Sequence, residues 1–184
     1  MFYRVAIELI DLSIQRVTSV QLAEVIAVLL QTWNHTFYRY HTFDRQHVYD
    51  LERVLAFHQQ SLAAFRQRSL IGLRDKDRQR ITRVFASFEE ILGPVGAAKT
   101  LHLLAPEFFP LWDRAIARAY GLPLQRRGRN AERYYRFMEV AEAQWTRLGG
   151  RQAIGRNPLK ALDEYNYCRY TKGWISGPKD DQAS

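Results

Sequence analysis

The side chains best placed to do chemistry lie between Leu92 and Ile116, where a glycine-bounded turn, a helix, an aromatic loop and a lone aspartate follow one another. The turn is Gly93-Pro94-Val95-Gly96, and the helix that the pattern starts at about Ala97 carries Lys99 and His102. Glycines at both ends let the backbone turn tightly, and a helix opening there aims unpaired N–H groups and the positive end of its dipole at a nearby anion. A nucleic-acid phosphate is one such anion, so Gly93, Val95, Gly96, Ala97 and Lys99 are candidate phosphate contacts. Beyond Phe109-Pro110-Leu111-Trp112, Asp113 takes the N-cap position of a helix expected over Arg114 to Tyr120 and stopped by Gly121.

Three other segments carry polar chemistry. Gln31-Thr32-Trp33-Asn34-His35-Thr36-Phe37-Tyr38-Arg39-Tyr40-His41 mixes aromatic, amide and imidazole groups at the end of the apolar run that begins at Val25. Gln125-Arg126-Arg127-Gly128-Arg129 is a flexible arginine loop suited to phosphate, or else a solvated charge run. Asp163-Glu164 lies among packing aromatics and is given no role. His102, on a stripe with Leu101, Leu103 and Leu104, is expected to be a satisfied core or edge histidine. No run has metal-ligand spacing, and there is no Walker-type phosphate loop.

The order hairpin, helix, loop, Asp113, Ile116, Arg118 resembles the helix-hairpin-helix DNA glycosylases, the superfamily that includes endonuclease III and the adenine-mismatch and 8-oxoguanine glycosylases. A second block agrees: Val25-Ile26-Ala27-Val28-Leu29-Leu30-Gln31-Thr32-Trp33-Asn34 is similar to the family's apolar helix, whose polar end enters the DNA. The two blocks stand in the family's order, within residues 20 to 125. The resemblance implies an enzyme that flips a nucleotide out of double-stranded DNA and hydrolyses its N-glycosidic bond. Asp113 would be the catalytic carboxylate, Gln31 or Asn34 the wedge that replaces the extruded base, and Trp33 part of the base pocket or its rim. A carboxylate about 4 Å from the developing positive sugar is worth roughly 4 kcal/mol at an effective dielectric near 20, about a thousandfold in rate.

The chain departs from the family in two places. Bifunctional members carry a lysine two residues after the second hairpin glycine, where this chain has Ala98, with Lys99 one place later. One step along a helix rotates a side chain by about 100°, so Lys99 is expected to point away from the site, as a phosphate contact, and the enzyme to be monofunctional; if the hairpin carries an extra residue, Lys99 is instead a catalytic candidate, the Schiff-base nucleophile of a lyase. The segment from hairpin to Asp113 is also a few residues shorter than usual. Nothing resembles the family's four-cysteine iron-sulfur cluster, and no cofactor or metal is expected. Which base is removed stays open between uracil or mismatched thymine, alkylated purine, oxidised guanine and a hypermodified cytosine of phage DNA. Repair and defence against modified phage genomes are therefore both open. The alternative is a non-catalytic helix-hairpin-helix module that binds DNA or structured RNA.

Charge and composition suit a polyanionic partner. Of 27 basic residues 22 are arginine, and the net charge is +8. Hydrophobic residues make up 47% of 184, enough for a folded core in one domain over residues 1–184. The single Cys168 allows no internal disulfide, and no apolar run is long enough to span a membrane, so a cytoplasmic monomer is expected.

The elements that must position these groups read as helices nearly throughout, because apolar residues recur at spacings of three and four. An all-α fold is predicted. Helices are expected at about 19 to 32 behind a Thr18–Gln21 capping box, at about 45 to 67 behind Asp44, and from Asp75 or Asp77 to Leu92. Two more follow, over 131 to 148 behind Asn130 and from Asn157-Pro158 to about Tyr170, with a linker between Gly149 and Gly155 and a frayed tail after Gly177. A lobe of about 75–148 would carry the hairpin and Asp113, and the N- and C-terminal helices would form the other.

Overall fold

The computed structural model describes residues 2–16, 21–147 and 158–175. Among them there are eight α-helices and no strand, as the helical periodicity predicts. They are α1 (Phe2–Ile14), α2 (Leu22–Trp33), α3 (His35–Tyr38), α4 (Arg45–Arg66), α5 (Arg78–Leu104), α6 (Arg114–Ala119), α7 (Ala131–Arg147) and α8 (Pro158–Asn166). A single 3-10 turn, Asp75–Asp77, leads into α5, and α8 runs on into a π-helical turn, Tyr167–Thr171. The expected Thr18, the Gly149–Gly155 linker, Asn157 and the tail after Gly177 lie outside the described residues.

Local capping sets most of the boundaries. Asp44 accepts the His47 N–H at 2.9 Å and opens α4 where expected. α2 starts at Leu22 rather than about 19, because the capping box is Gln21 with Glu24: the Gln21 N–H donates to Glu24 Oε2 at 3.0 Å. Asp77 precedes α5 but does not cap it. It is buried, and its carboxylate instead collects Arg68 at 2.7 Å and Arg74 and Arg80 at 3.5 Å, which hold it below the usual carboxylate range, chiefly through the Arg68 hydrogen bond.

α5 is the axle of the molecule. Ile81, Val84, Phe85, Phe88 and Leu92 along its first half and Ala97, Leu101 and Leu104 along its second are all buried. A helix buried over so much of its circumference must be packed on several sides, and α4 and α7 lie along it with α1 and α2. One continuous hydrophobic core joins these helices and reaches Leu159 of α8. At its centre Phe65, Phe85, Phe108, Phe109, Trp112 and Tyr134 are packed ring on ring: Phe65 stacks on Phe108 at 4.6 Å between centroids and Phe85 on Tyr134 at 4.3 Å.

The expected hairpin is replaced by a single-residue kink. Gly93 alone leaves the helical region, with φ 67° and ψ 171°, and α5 resumes at Pro94 rather than about Ala97. Proline suits a first helical turn, since its missing N–H has no helical partner to lose there. Gly96, read as the second hairpin glycine, is helical and buried. A Cβ there would meet Leu92 Cβ at 2.7 Å and Asn34 Nδ2 at 2.9 Å, so glycine is required by the close approach of α5 to the end of α2.

Candidate active site

Asp113 is held by its neighbours on both sides in the chain. Trp112 is buried in the aromatic core, its ring 6.1 Å from that of Phe137, and the loop before it is tied down by Tyr134, whose hydroxyl donates to the Pro110 carbonyl at 2.8 Å. His102 fixes the same loop through Nδ1, 2.8 Å from the Phe109 carbonyl. Since a carbonyl only accepts, Nδ1 carries the proton and Nε2 accepts from the Tyr3 hydroxyl at 2.8 Å. His102 is thus the satisfied core histidine that its apolar stripe suggests, and burial pushes its pKa down to about 4.

Asp113 itself is half-buried and caps α6, its Oδ1 accepting the Ile116 N–H at 2.8 Å. The cap uses only one carboxylate oxygen. Oδ2 receives the Thr171 hydroxyl at 3.3 Å, from the π-helical turn 58 residues along the chain.

Lys99 is half-buried, donates to the Trp33 carbonyl, and lies 5.3 Å from the centroid of the Trp33 ring. Burial lowers its pKa, while Asp113 and Asp163 both oppose the shift.

Asp163, to which the sequence assigns no role, belongs to the same constellation. Its carboxylate pairs with Lys160 at 2.8 Å and is 16% exposed. Burial raises its pKa, Lys160 opposes, and the charge of Asp113 adds to the rise. Lys160 also lies 4.8 Å from the Tyr3 ring centroid. Two carboxylates and two ammonium groups therefore share one electrostatic neighbourhood although they come from α5, the α6 cap and α8. The only sequence signal of Asp163 was its position next to Glu164, which does not point to Asp113.

The α2 segment contributes unequally. Trp33 is half-buried and packs edge-on against Phe2 at 6.0 Å and Tyr3 at 6.4 Å. Gln31 is half-buried. Asn34 cannot serve as a wedge where it stands, because it is buried against Gly96 with its Nδ2 unpartnered. Phe37 covers the kink, its ring 3.3 Å from where a Gly93 Cβ would be, and stacks on His41 at 3.8 Å.

Three of the phosphate contacts expected at the turn are not accessible. Gly93, Gly96 and Ala97 are buried, and only Pro94 and Val95 are half-exposed, so the kink offers no open cradle of N–H groups. Arg126, Arg127 and Arg129 are exposed, and their loop is built against α5 just before the kink. Asn130, expected as a helix cap, anchors it: Nδ2 donates to buried Glu89 Oε1 at 2.5 Å and to the Gln125 and Arg126 carbonyls, while Oδ1 accepts the Gln125 N–H at 2.7 Å. Arg127 donates to the Glu90 carbonyl at 3.1 Å.

Two cavities, of about 560 Å³ between α6, α7 and α8 and about 900 Å³ between α1, α2 and α4, include none of Lys99, Asp113 and Trp33 in their walls. Among the described residues no group of His, Cys, Asp and Glu could hold a metal ion, and no helix is long and apolar enough to cross a membrane. Comparison with family models, curated proteins and solved structures finds no match to this chain.

Proposed function

We propose that the chain is a DNA glycosylase in which Asp113 stabilises the positive charge that grows on the deoxyribose as the N-glycosidic bond breaks. The observation that carries this reading is the state of Asp113: capping occupies Oδ1, while among the described residues Oδ2 meets a threonine hydroxyl, and the carboxylate acts on the charge of a half-buried lysine. A cap with no further duty needs neither the lysine nor the second carboxylate. Lys99, which feels the charge of Asp113, is hydrogen-bonded to the Trp33 carbonyl at the end of α2, and this favours an enzyme over a binding module that has no use for such a cluster. The arginine loop beside the kink would take phosphates of double-stranded DNA, with the net charge of +8 drawing the duplex in. Water would complete the hydrolysis, leaving an abasic site and no cofactor in the reaction.

One observation favours a second reading with an added lyase step. The Lys99 amine feels the charge of the candidate carboxylate and burial lowers its pKa, as an amine nucleophile requires. The decisive experiment for the glycosylase itself is incubation with duplexes carrying uracil, mismatched thymine, alkylated purine, 8-oxoguanine or modified cytosine, followed by alkali to cut at abasic sites. Asp113→Asn keeps the cap but removes the charge, so base release should fall at least about a hundredfold with binding retained. Excision by the Asn variant at the parent rate would sink the assignment.

A further inference from the structure

The C-terminal end of the described chain carries an exposed aromatic and cationic surface that the hydrolysis of a glycosidic bond does not use. After the π-helical turn the backbone reverses at Gly173, where φ is +67°, and two hydrogen bonds lock the reversal: Lys172 N–H to the Tyr167 carbonyl at 2.9 Å and Trp174 N–H to the Cys168 carbonyl at 2.8 Å. This fixed cap holds Trp174 out into solvent at 71% exposure, whereas Trp112 and Trp145 are 1% and 4% exposed. Tyr167 is 41% exposed. The Lys172 ammonium lies near both rings, 5.5 Å from the Tyr167 centroid and 5.8 Å from that of Trp174.

The same turn is attached to the candidate active site. Thr171, three residues before Trp174, donates to Asp113 Oδ2, and Tyr170 packs edge-on against Tyr120 at the end of α6 with ring centroids 6.0 Å apart. The Tyr120 hydroxyl in turn donates to Asn166 at 3.0 Å. A projecting indole, a fixed backbone and an adjacent ammonium match what one nucleotide offers, a flat π face with a phosphate beside it.

We propose that Trp174, with Tyr167 and Lys172, is a stacking platform for an unpaired nucleobase of the DNA strand whose sugar is held at Asp113. The proposal rests on the DNA-glycosylase reading and adds the strand's path, from Asp113 across Thr171 to the C-terminal cap. The base takes the indole face and Lys172 takes its phosphate.

The test uses the full chain with two single-stranded probes of equal phosphate number, a twelve-residue oligothymidylate and a fully abasic oligomer of the same length, with affinity measured by anisotropy. The parent should prefer the base-bearing probe. Trp174→Ala should lose about tenfold or more on that probe, the loss of one stacked base, and nothing on the abasic one, while Trp174→Phe should keep most of the preference. Lys172→Ala should weaken both probes alike. Equal affinity of the parent for the two probes, or an unchanged preference in Trp174→Ala, would overturn the platform and point to a protein partner for the exposed ring. If the parent then still releases a modified base from duplex DNA, only the platform has failed. A parent that binds neither probe and releases no base overturns the glycosylase reading and the platform together.

Discussion

Replacing Gly96 by Ala tests the close approach of α5 to the end of α2. In an ordinary helix interior the change should stabilise by about 0.5–1 kcal/mol, because alanine gives up less chain entropy on folding. Here the new Cβ would fall 2.7 Å from Leu92 Cβ and 2.9 Å from Asn34 Nδ2, both well inside van der Waals contact. Asn34 is buried, and Leu92 Cβ is attached directly to the backbone at the Gly93 kink, so neither is the free end of a flexible chain. Overpacking of this kind costs about 1–3 kcal/mol. The steric term wins, and the net loss should be about 1–2 kcal/mol, or roughly 2–8 °C in Tm for a chain of this size. Urea and thermal unfolding followed by circular dichroism would measure it. In an Asn34→Ala background one of the two clashes is gone, and the cost of Gly96→Ala should shrink by about 0.5 kcal/mol or more. A Gly96→Ala protein more stable than its parent would show that α5 and the end of α2 are not in this contact.

The buried His102 sets a pH dependence of stability. Its pKa is about 4 when folded against 6.5 when unfolded, so below pH 6.5 protons bind preferentially to the unfolded chain, and stability should fall by roughly 3 kcal/mol from pH 6.5 to about 4. His102→Gln should remove that part of the slope in urea midpoints, and an unchanged slope would place the titration elsewhere. Arg126→Ala with Arg127→Ala should flatten the salt dependence of duplex affinity by up to about two log units per log unit of salt; an unaltered slope would mean that the loop does not touch phosphate. Lys99 separates the hydrolytic from the lyase reading. Its ammonium is held by the Trp33 carbonyl and by the field of two carboxylates, against burial, so the hydrolytic reading expects intact abasic sites and no efficient borohydride adduct. A strong protein–DNA adduct that disappears in Lys99→Ala would establish the lyase step.

What the sequence by itself determined is local. Apolar spacing of three and four residues specifies helices, and Asp44 and Asp113 specify where two of them begin, because a side chain that caps reaches only two or three residues along its own backbone. The all-helical class and the N-cap place of Asp113 were legible for that reason. The glycines were legible as special but not in kind: a pair three residues apart suits a hairpin as well as a kink followed by a close helix contact, and the decision rests with Asn34, 62 residues before Gly96. Asn130 likewise has a capping residue's identity and stands just before α7, yet its amide oxygen accepts the Gln125 N–H while its amide N–H group serves buried Glu89, 41 residues away in the chain. The meeting of Lys99, Asp113 and Asp163 was decided by the tertiary structure alone. It depends on the path of α5 and on the return of the π-helical turn after α8 to α6 and its Asp113 cap, and charges that far apart in the chain share a field only when the core they surround has packed.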